Sequence, residues 1–384
     1  MRIAIFSNCY LPMVNGVVGA ITLLRKGFIE AGHEVYVFAP AFDDYVDEES
    51  GVYRYRSVDL TKEVKYPVAI PFSPRIRRII DGLELDIIHS HHPFVLGPLS
   101  HKIARRKGVP AVYTFHTQYE QYSHYIPLPR TLVNAISRHK ITRFCQLVHQ
   151  VTTPAESARQ ILIDYGVNRP IRVIPNPTNI PLEPVDGSKV REQYRLGDAK
   201  VLINVGRIAP EKNLGLLLES FELMLRQTPE PLKLMIVGDG PELPVLKQQA
   251  EQLGIGEQVV FTGMVEPSQV SNYLAAADLF VMTSKSEVKP LSQLEALAVG
   301  LPIIAVAAPG ANDTIVHGEN GYLVQDEREI ICETVLNLLS DPERMHRFRK
   351  AARQSAERYS YPRIAAEYLE VYRETVEAYK KSRH

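Results

Sequence analysis

The chain alternates strand-like and helix-like segments in two series that are separated by a proline-rich break. In the first series, short apolar runs such as 3–7 and 35–39 alternate with an amphipathic stretch at 17–31. In the second series, runs such as 201–205 and 279–282 do the same. Near-continuous apolar strands are typical of a parallel sheet covered by helices on both faces. The pattern therefore predicts an α/β protein with two Rossmann-like domains.

The break at 175–184 carries four prolines in ten residues, which is the composition of a stiff, extended linker. We therefore place the first domain at 1–175, the linker at 176–187 and the second domain at 188–361. Residues 362–384 have the periodicity of a long amphipathic helix.

Charge is unevenly distributed, although 44 Lys and Arg balance 44 Asp and Glu over the whole chain. Residues 1–178 hold 21 basic and 15 acidic residues, a net charge of +6, and residues 179–384 hold 23 and 29, a net charge of −6. The first half is therefore expected to meet something anionic. No apolar run reaches the 18 residues of a membrane span, and the N-terminus has no secretion signal. The three cysteines lie far apart, which favours a reducing cytoplasm and argues against structural zinc.

Two carboxylates, Glu287 and Glu295, dominate the stretch that follows the predicted strand 279–282. Glu287 falls on the loop after the strand and Glu295 on the second turn of the next helix, with Pro290 in its first turn. Open α/β folds bind ligands at the carboxyl ends of their strands, so both side chains are candidates for a binding site.

The loop after strand 201–205 offers Arg207 and Lys212, which can together neutralise a diphosphate. Two unrelated cations on a solvated loop would look the same. Gly238 and Gly263 end the following strands, where they permit a tight turn beside a ligand or serve only the turn.

In the first half, Gly16 lies between a strand and a helix, where glycine allows close backbone approach and the helix N-terminus attracts anions. The sequence here is not GxGxxG, so it gives no NAD fingerprint, and an ordinary βα turn is the alternative. His116 follows the strand 111–115 and can bond a substrate hydroxyl or stabilise developing charge. It can also be a loop histidine with no role in the chemistry.

Three further histidines, His89, His91 and His92, invite a metal interpretation. No carboxylate or thiol stands at a recognisable ligand spacing from them, so we expect no metal. The basic stretches 72–80 and 129–150 are also prominent. The second predicts an amphipathic helix that lies on an anionic membrane surface, or one whose apolar face packs on the sheet.

Six motifs in order resemble the family 4 glycosyltransferases over nearly the whole chain. They are the Gly16 loop, His116, Gly206–Lys212, Gly238–Pro241, the pair Glu287 and Glu295, and the C-terminal helix. The resemblance implies the GT-B fold, with two Rossmann-like domains facing across a cleft and the last helix crossing back to the first domain.

The resemblance also implies roles for these residues in a site that takes a nucleotide-diphosphate sugar as substrate, with no metal or cofactor. Glu295 would bind the ribose and Glu287 the transferred sugar, while His116 would lie near the anomeric centre. The implied donor-binding residues are Gly16, Arg207, Lys212, Gly238, Gly263, Met264, Glu287, Pro290, Leu291 and Glu295. One departure is Pro290, where the family usually has glycine, because proline lacks the N–H that could reach the diphosphate. The N–H of Leu291 remains.

Within the family, the Tyr- and His-rich loop 114–127 looks most like bacterial diacylglycerol glucosyltransferases. The implied acceptor and membrane residues are Tyr119, Tyr122, His124, Arg130, Arg138, Lys140 and Arg143. We therefore expect a cytoplasmic, peripheral-membrane enzyme that moves glucose from UDP-glucose to 1,2-diacylglycerol with retention of configuration. No nucleic acid and no obligate protein partner are expected. The alternatives are a hexosyltransferase using phosphatidylinositol, polyprenol-linked or soluble glycan acceptors, a GT-B-fold epimerase, and a non-catalytic nucleotide-sugar sensor.

Overall fold

A computed structural model describes residues 1–43, 45–59, 67–120, 129–285 and 287–383. The chain forms two compact units. Unit 1 comprises Met1–Pro177 and Tyr361–His384, and unit 2 comprises Thr178–Ser360.

Unit 1 is built on a seven-stranded sheet with the order β3-β2-β1-β6-β7-β8-β9, in which all neighbours are parallel. Its strands are β1 (Arg2–Phe6), β2 (Glu34–Pro40), β3 (Val52–Tyr55), β6 (Ile87–Ser90), β7 (Ala111–Thr114), β8 (Gln150–Thr153) and β9 (Ile171–Val173). An antiparallel pair, β4 (Ser57–Asp59) and β5 (Pro67–Ala69), lies beside it. The helices are α1 (Gly16–Glu30), α2 (Pro74–Gly82), α3 (Leu96–Lys107), α4 (Arg130–Leu147), α5 (Glu156–Asp164) and α14 (Tyr361–Lys381).

The C-terminal helix α14 is part of unit 1, as the predicted return to the first domain requires. Its apolar side, which includes Ile364 and Tyr372, is buried in one core with β1, β2 and α1. A Cβ atom at Gly27 would stand 2.6 Å from the Cβ of Ala365, so α1 and α14 touch at a position that only glycine allows. A buried face of this kind stabilises a long helix far more than its own propensity does.

Unit 2 is built on a six-stranded parallel sheet with the order β12-β11-β10-β13-β14-β15. Its strands are β10 (Lys200–Val205), β11 (Leu232–Val237), β12 (Val259–Gly263), β13 (Leu279–Met282), β14 (Ile303–Val306) and β15 (Gly321–Val324). The helices are α6 (Ser188–Gln193), α7 (Leu214–Gln227), α8 (Leu243–Gln252), α9 (Val270–Ala275), α10 (Leu291–Ala298), α11 (Pro309–Asn312), α12 (Arg328–Leu339) and α13 (Pro342–Ala356). Alternate strand residues enter two apolar cores, one on each face of the sheet.

Two predictions about local structure need correction. Strands β3, β4 and β5 were not foreseen, because they are short and lie next to charged residues. The predicted helix at 129–150 is too long, since α4 ends at Leu147 and Gln150 already pairs in the sheet. Within the predicted linker, Thr178 donates a backbone hydrogen bond of 2.7 Å to the carbonyl of Tyr359. Among the described helices none is long and apolar enough to span a bilayer.

Candidate active site

The strongest site in unit 2 lies where the strand order reverses. Strands β10 and β13 are neighbours in the sheet, but the chain leaves them toward opposite edges. Such a switch point is where open α/β sheets bind ligands. The loop after β10 carries Arg207 and Lys212, and the loop after β13 carries Glu287, so sheet topology brings together residues that are far apart in sequence.

Lys212 and Glu287 form an ion pair across this switch point. Glu287 Oε1 also accepts a hydrogen bond of 3.3 Å from the hydroxyl of Ser284. The side chains of Lys212 and Glu287 keep 21% and 15% of their surface exposed, so each remains accessible to a ligand. Arg207 is exposed on the same loop as Lys212. The site thus presents two cations and one carboxylate at the carboxyl ends of two neighbouring strands.

The glycines of unit 2 join neighbouring loops. A Cβ atom on Gly238 would stand 1.9 Å from the carbonyl oxygen of Gly206, so the two loops approach as closely as backbone allows. The Gly238 N–H donates a 3.0 Å bond to the carbonyl of Gly263, which has a φ of +72°. Met264 follows and is 61% exposed. These glycines therefore have a structural task in addition to any contact with a ligand.

Glu295 lies on the second turn of α10, as predicted, and is half-buried. Burial raises the pKa of its carboxyl to about 7. Pro290 is not inside the first turn, which corrects the prediction. It occupies the N-cap position with φ −68° and ψ 129°, so the first helical amide is that of Leu291.

In unit 1, a side chain from the turn between β1 and α1 caps the helix. Asn15 Oδ1 accepts hydrogen bonds from the amides of Val17 at 3.0 Å and Val18 at 2.9 Å. This is a helix N-cap, and it occupies two of the amides that an anion would otherwise meet. Gly16 remains exposed at the start of the helix.

His116 is paired with His91. Their rings are stacked at an angle of 18°, and His91 Nδ1 lies 2.8 Å from His116 Nε2. Burial lowers the pKa of His116 to about 3 and that of His91 well below its usual value, so both rings are neutral near pH 7. In a neutral pair one ring donates and the other accepts, which couples their tautomers. His116 Nδ1 and His91 Nε2 have no hydrogen-bond partner among the described residues.

His89 and His92 have structural partners. His89 bonds the Tyr372 hydroxyl at 2.6 Å and the Thr114 hydroxyl at 2.7 Å. His92 Nδ1 accepts from the amide of Asn8 at 3.1 Å. Burial lowers their pKa values to about 3 and about 4. In the part of the chain that the structure describes, no group of three or more His, Cys, Asp or Glu residues is arranged to hold a metal.

Helix α4 has a buried and an exposed apolar side. Val133, Ile141 and Phe144 are buried, which is the packing that the alternative interpretation expected. An exposed side of the helix shows a stripe at helical spacing in which apolar and basic residues mix. This stripe consists of Leu132, Ile136, Lys140, Arg143 and Leu147, all of them exposed.

The other predicted acceptor residues are dispersed. Arg130 is exposed at the start of α4 but off the stripe. Arg138 donates to the carbonyl of Asp164 and stands 5.2 Å from the Tyr165 ring. Tyr119 packs edge-on against Phe94, with ring centroids 4.9 Å apart. Tyr122 and His124 lie outside the described residues.

Sequence reasoning missed two residues next to Glu287. Lys289 is 6% exposed and donates to the carbonyl of Asp313 at 2.7 Å. The Gly310 amide donates to the carbonyl of Glu287 at 3.0 Å. A lysine before a proline in a loop is typical of an exposed position, so no local signal marked Lys289. The run Pro309-Gly310 after β14 could have indicated a close backbone contact.

Comparison with known proteins identifies the family of the chain. The family described as "Glycosyltransferase Family 4" matches residues 14–180, and the family "Glycosyl transferases group 1" matches residues 187–355. The alpha-monoglucosyldiacylglycerol synthase of Streptococcus pneumoniae is 34% identical over 353 residues, which cover 89% of this chain and 79% of that protein. The enzyme of the same name from Acholeplasma laidlawii is 31% identical over 379 residues, 94% of each chain.

A solved structure shows the same fold. The crystal structure of Anabaena Alr3699/HepE in complex with UDP-glucose superposes with a TM-score of 0.76, covering 97% of this chain and 99% of that one at 19% identity. At that identity the likeness concerns the fold alone, and it confirms the predicted GT-B architecture. The chain belongs to the family 4 glycosyltransferases and is a hexosyltransferase with the GT-B fold.

Proposed function

We propose that this hexosyltransferase moves glucose from UDP-glucose to 1,2-diacylglycerol at an anionic membrane surface, with retention of configuration. The observation that carries the proposal is the meeting of Lys212 and Glu287 at the switch point of unit 2, in a chain whose two relatives named above are alpha-monoglucosyldiacylglycerol synthases. A solved structure of the same fold holds UDP-glucose.

The ion pair suggests how the donor is held. In the structure the Lys212 ammonium is matched by the Glu287 carboxylate. A diphosphate brings more negative charge than one carboxylate and competes for Lys212, with Arg207 on the same loop as a second, bidentate donor. The exchange frees Glu287 to accept hydrogen bonds from hydroxyls of the sugar. Glu295, with a pKa near 7, accepts from the ribose when it is ionised.

The reaction that we propose here takes the course that the resemblance to family 4 implies. The acceptor hydroxyl oxygen bonds to the anomeric carbon from the side the diphosphate leaves, the bond from that carbon to the phosphate oxygen breaks, and the hydroxyl proton passes to the departing phosphate oxygen. Positive charge at Arg207 and Lys212 stabilises the diphosphate as its charge grows. UDP-glucose is α-linked, so retention gives the alpha product that the relatives' names describe. His116, being neutral, offers a hydrogen bond and no charge.

The exposed stripe on α4 supports the membrane part of the proposal. Leu132, Ile136 and Leu147 can enter the interface while Lys140 and Arg143 meet anionic headgroups. Unit 1 also carries 26 Lys and Arg against 19 Asp and Glu, a net charge of +7. Each basic residue near an anionic leaflet contributes about 1 kcal/mol of attraction.

The test is transfer of labelled glucose from UDP-glucose into lipid by the purified protein. Phosphatidylglycerol vesicles with 1,2-diacylglycerol should yield a glucolipid whose anomeric proton has the α coupling constant. Vesicles without diacylglycerol, and vesicles with phosphatidylinositol or polyprenyl phosphate instead, are the controls. Label found only with one of these other acceptors would overturn the diacylglycerol assignment. Conversion of the donor without any acceptor would instead indicate an epimerase.

A further inference from the structure

The segment that carries Glu287 is fixed against α11 at two points. Next to the start of this short helix, the Gly310 amide donates to the Glu287 carbonyl at 3.0 Å. A Cβ atom on Gly310 would lie 2.5 Å from that carbonyl oxygen, so the contact depends on glycine. Just past the end of α11, Lys289 Nζ donates to the carbonyl of Asp313 at 2.7 Å.

Lys289 is placed unusually for a lysine in a loop. Its ammonium lies 4.8 Å from the centre of the Tyr359 ring and 3.4 Å from the Tyr359 hydroxyl. Tyr359 is itself 2% exposed. Lysines are rarely buried, because withdrawing the charge from water costs free energy that only well-placed partners offset. Burial lowers the pKa of Lys289 to about 7, while Asp313 raises it and Arg358 lowers it further.

The backbone on either side of Lys289 is restricted as well. A residue before proline is held in extended conformations, and Pro290 has a fixed φ of −68°. The side-chain anchor at Lys289 and the backbone anchor at Glu287 therefore act on a stiff segment. Displacing either anchor would move the Glu287 carboxylate relative to its partners Lys212 and Ser284.

We propose that Lys289 is a positioning residue of the donor site, which sets the place of the Glu287 carboxylate by holding the segment Glu287–Leu291 against α11 and Tyr359. The proposal rests on the proposed function, in which Glu287 binds the transferred sugar. Lys289 acts on the sugar only through Glu287. Replacing Lys289 should therefore weaken the binding of a ligand that carries the sugar more than the binding of one that does not.

The experiment is titration of the full-length protein with UDP-glucose and with UDP. Lys289→Met should weaken UDP-glucose binding roughly ten-fold, the loss expected for one hydrogen bond to a charged group, and change UDP binding less than about two-fold. Lys285→Met is the matched control, because Lys285 lies in the same loop with its side chain 54% exposed in an ion pair with Asp326. It should leave both affinities unchanged.

Further variants keep the test decisive if Lys289→Met fails to fold. Gly310→Ala disturbs the other anchor and should also weaken UDP-glucose more than UDP. Tyr359→Phe keeps the ring but removes one acceptor, so it should have a smaller effect in the same direction. In a Glu287→Gln background, Lys289→Met should no longer change the ratio of the two affinities.

Two results would overturn the inference while leaving the proposed function standing. One is equal weakening of UDP and UDP-glucose by Lys289→Met, which is what a purely structural lysine would give. The other is no change in either affinity. Wild-type protein that binds neither ligand would instead contradict the proposed donor, and with it the role of Lys289.

Discussion

The two units place very different chemistry at equivalent points of their sheets. In unit 2, the switch point between β10 and β13 holds opposite charges, with Lys212 paired to Glu287 and partly open to solvent. In unit 1, the strands β1 and β6 meet at a cluster of buried histidines whose pKa values are all lowered by burial, so they are uncharged near neutral pH. The same kind of sheet therefore presents charge in one unit and neutral hydrogen-bonding groups in the other.

Net charge does not predict this difference. Unit 1 has a net charge of +7, yet its central cluster is neutral. Unit 2 holds 18 Lys and Arg against 25 Asp and Glu, a net charge of −7, yet it supplies the two cations expected to meet the diphosphate. What counts is which side chains the topology brings to one sheet edge, because buried and partly buried charges act over a few ångströms and surface charges are screened.

The largest effect should come from breaking the ion pair of unit 2. Glu287→Ala and Lys212→Ala should each lower kcat/KM by roughly a hundred-fold or more, since each removes a group that we propose to contact the reacting sugar or the leaving diphosphate. Lys285→Met serves as the control in the transfer assay. Unchanged turnover in both alanine variants would refute the site assignment.

A slightly smaller loss of activity should follow from replacing His116, the neutral histidine of unit 1. His116→Ala should lower kcat by roughly a hundred-fold at most, because on our proposal His116 offers the substrate one hydrogen bond and no charge. The kcat–pH profile of the wild type should show no ionisation near 6.5 from His116, since its pKa is about 3. An ionisation near 6.5 that disappears in His116→Ala would contradict the neutral cluster.

Charge on the surface of unit 1 should affect binding to lipid vesicles and should not affect binding of the donor. Lys140→Glu should reduce partition into phosphatidylglycerol vesicles roughly ten-fold, since a reversal changes the charge by two near the headgroups. Arg159→Glu is a matched charge reversal on α5. The side chain of Arg159 is 42% exposed and paired with Glu156. Equal losses in the two variants, measured by cosedimentation at low salt, would show that α4 has no special part in binding.

The last effect concerns stability against pH and not the reaction. Folded pKa values of about 3 to 4 for His89, His92 and His116 lie below the unfolded value, so the unfolded state binds more protons between about pH 6.5 and 3. Unit 1 should therefore lose stability as the pH falls through this window, by at most about 1.4 kcal/mol per histidine and pH unit. Glu295, with a pKa raised to about 7, acts in the opposite direction, since its contribution is lost as the pH rises from 4.5 to 7.

Hydrogen exchange followed by mass spectrometry can measure the protection of backbone amides in each unit separately. After correction for intrinsic rates, peptides that cover β6 and β7 should be less protected at pH 5 than at pH 7, while peptides that cover β10 and β13 should not. Equal loss of protection in both units would assign acid sensitivity to something other than the histidines.

The sequence sufficed for the strands that are apolar along their whole length. Leu279–Met282 has the predicted bounds, and the predicted GT-B fold is confirmed. The sequence did not predict contacts that depend on strand order, because the alternation of strands and helices along the chain does not show that β10 lies beside β13. The Lys212–Glu287 pair, the His91–His116 pair and the buried amine of Lys289 were therefore missed, although every one of these residues lies in a segment that the motifs had singled out.

Above all, we propose that the nucleotide diphosphate is held by the charged switch point of unit 2 and not by the histidines of unit 1. Titration with UDP, which lacks the sugar, tests it directly in Lys212→Met and His116→Ala. We predict that Lys212→Met weakens UDP binding at least about ten-fold, as expected for a lost charged contact, and that His116→Ala changes it less than about two-fold. Wild-type affinity in Lys212→Met, or a larger loss in His116→Ala, would contradict the account.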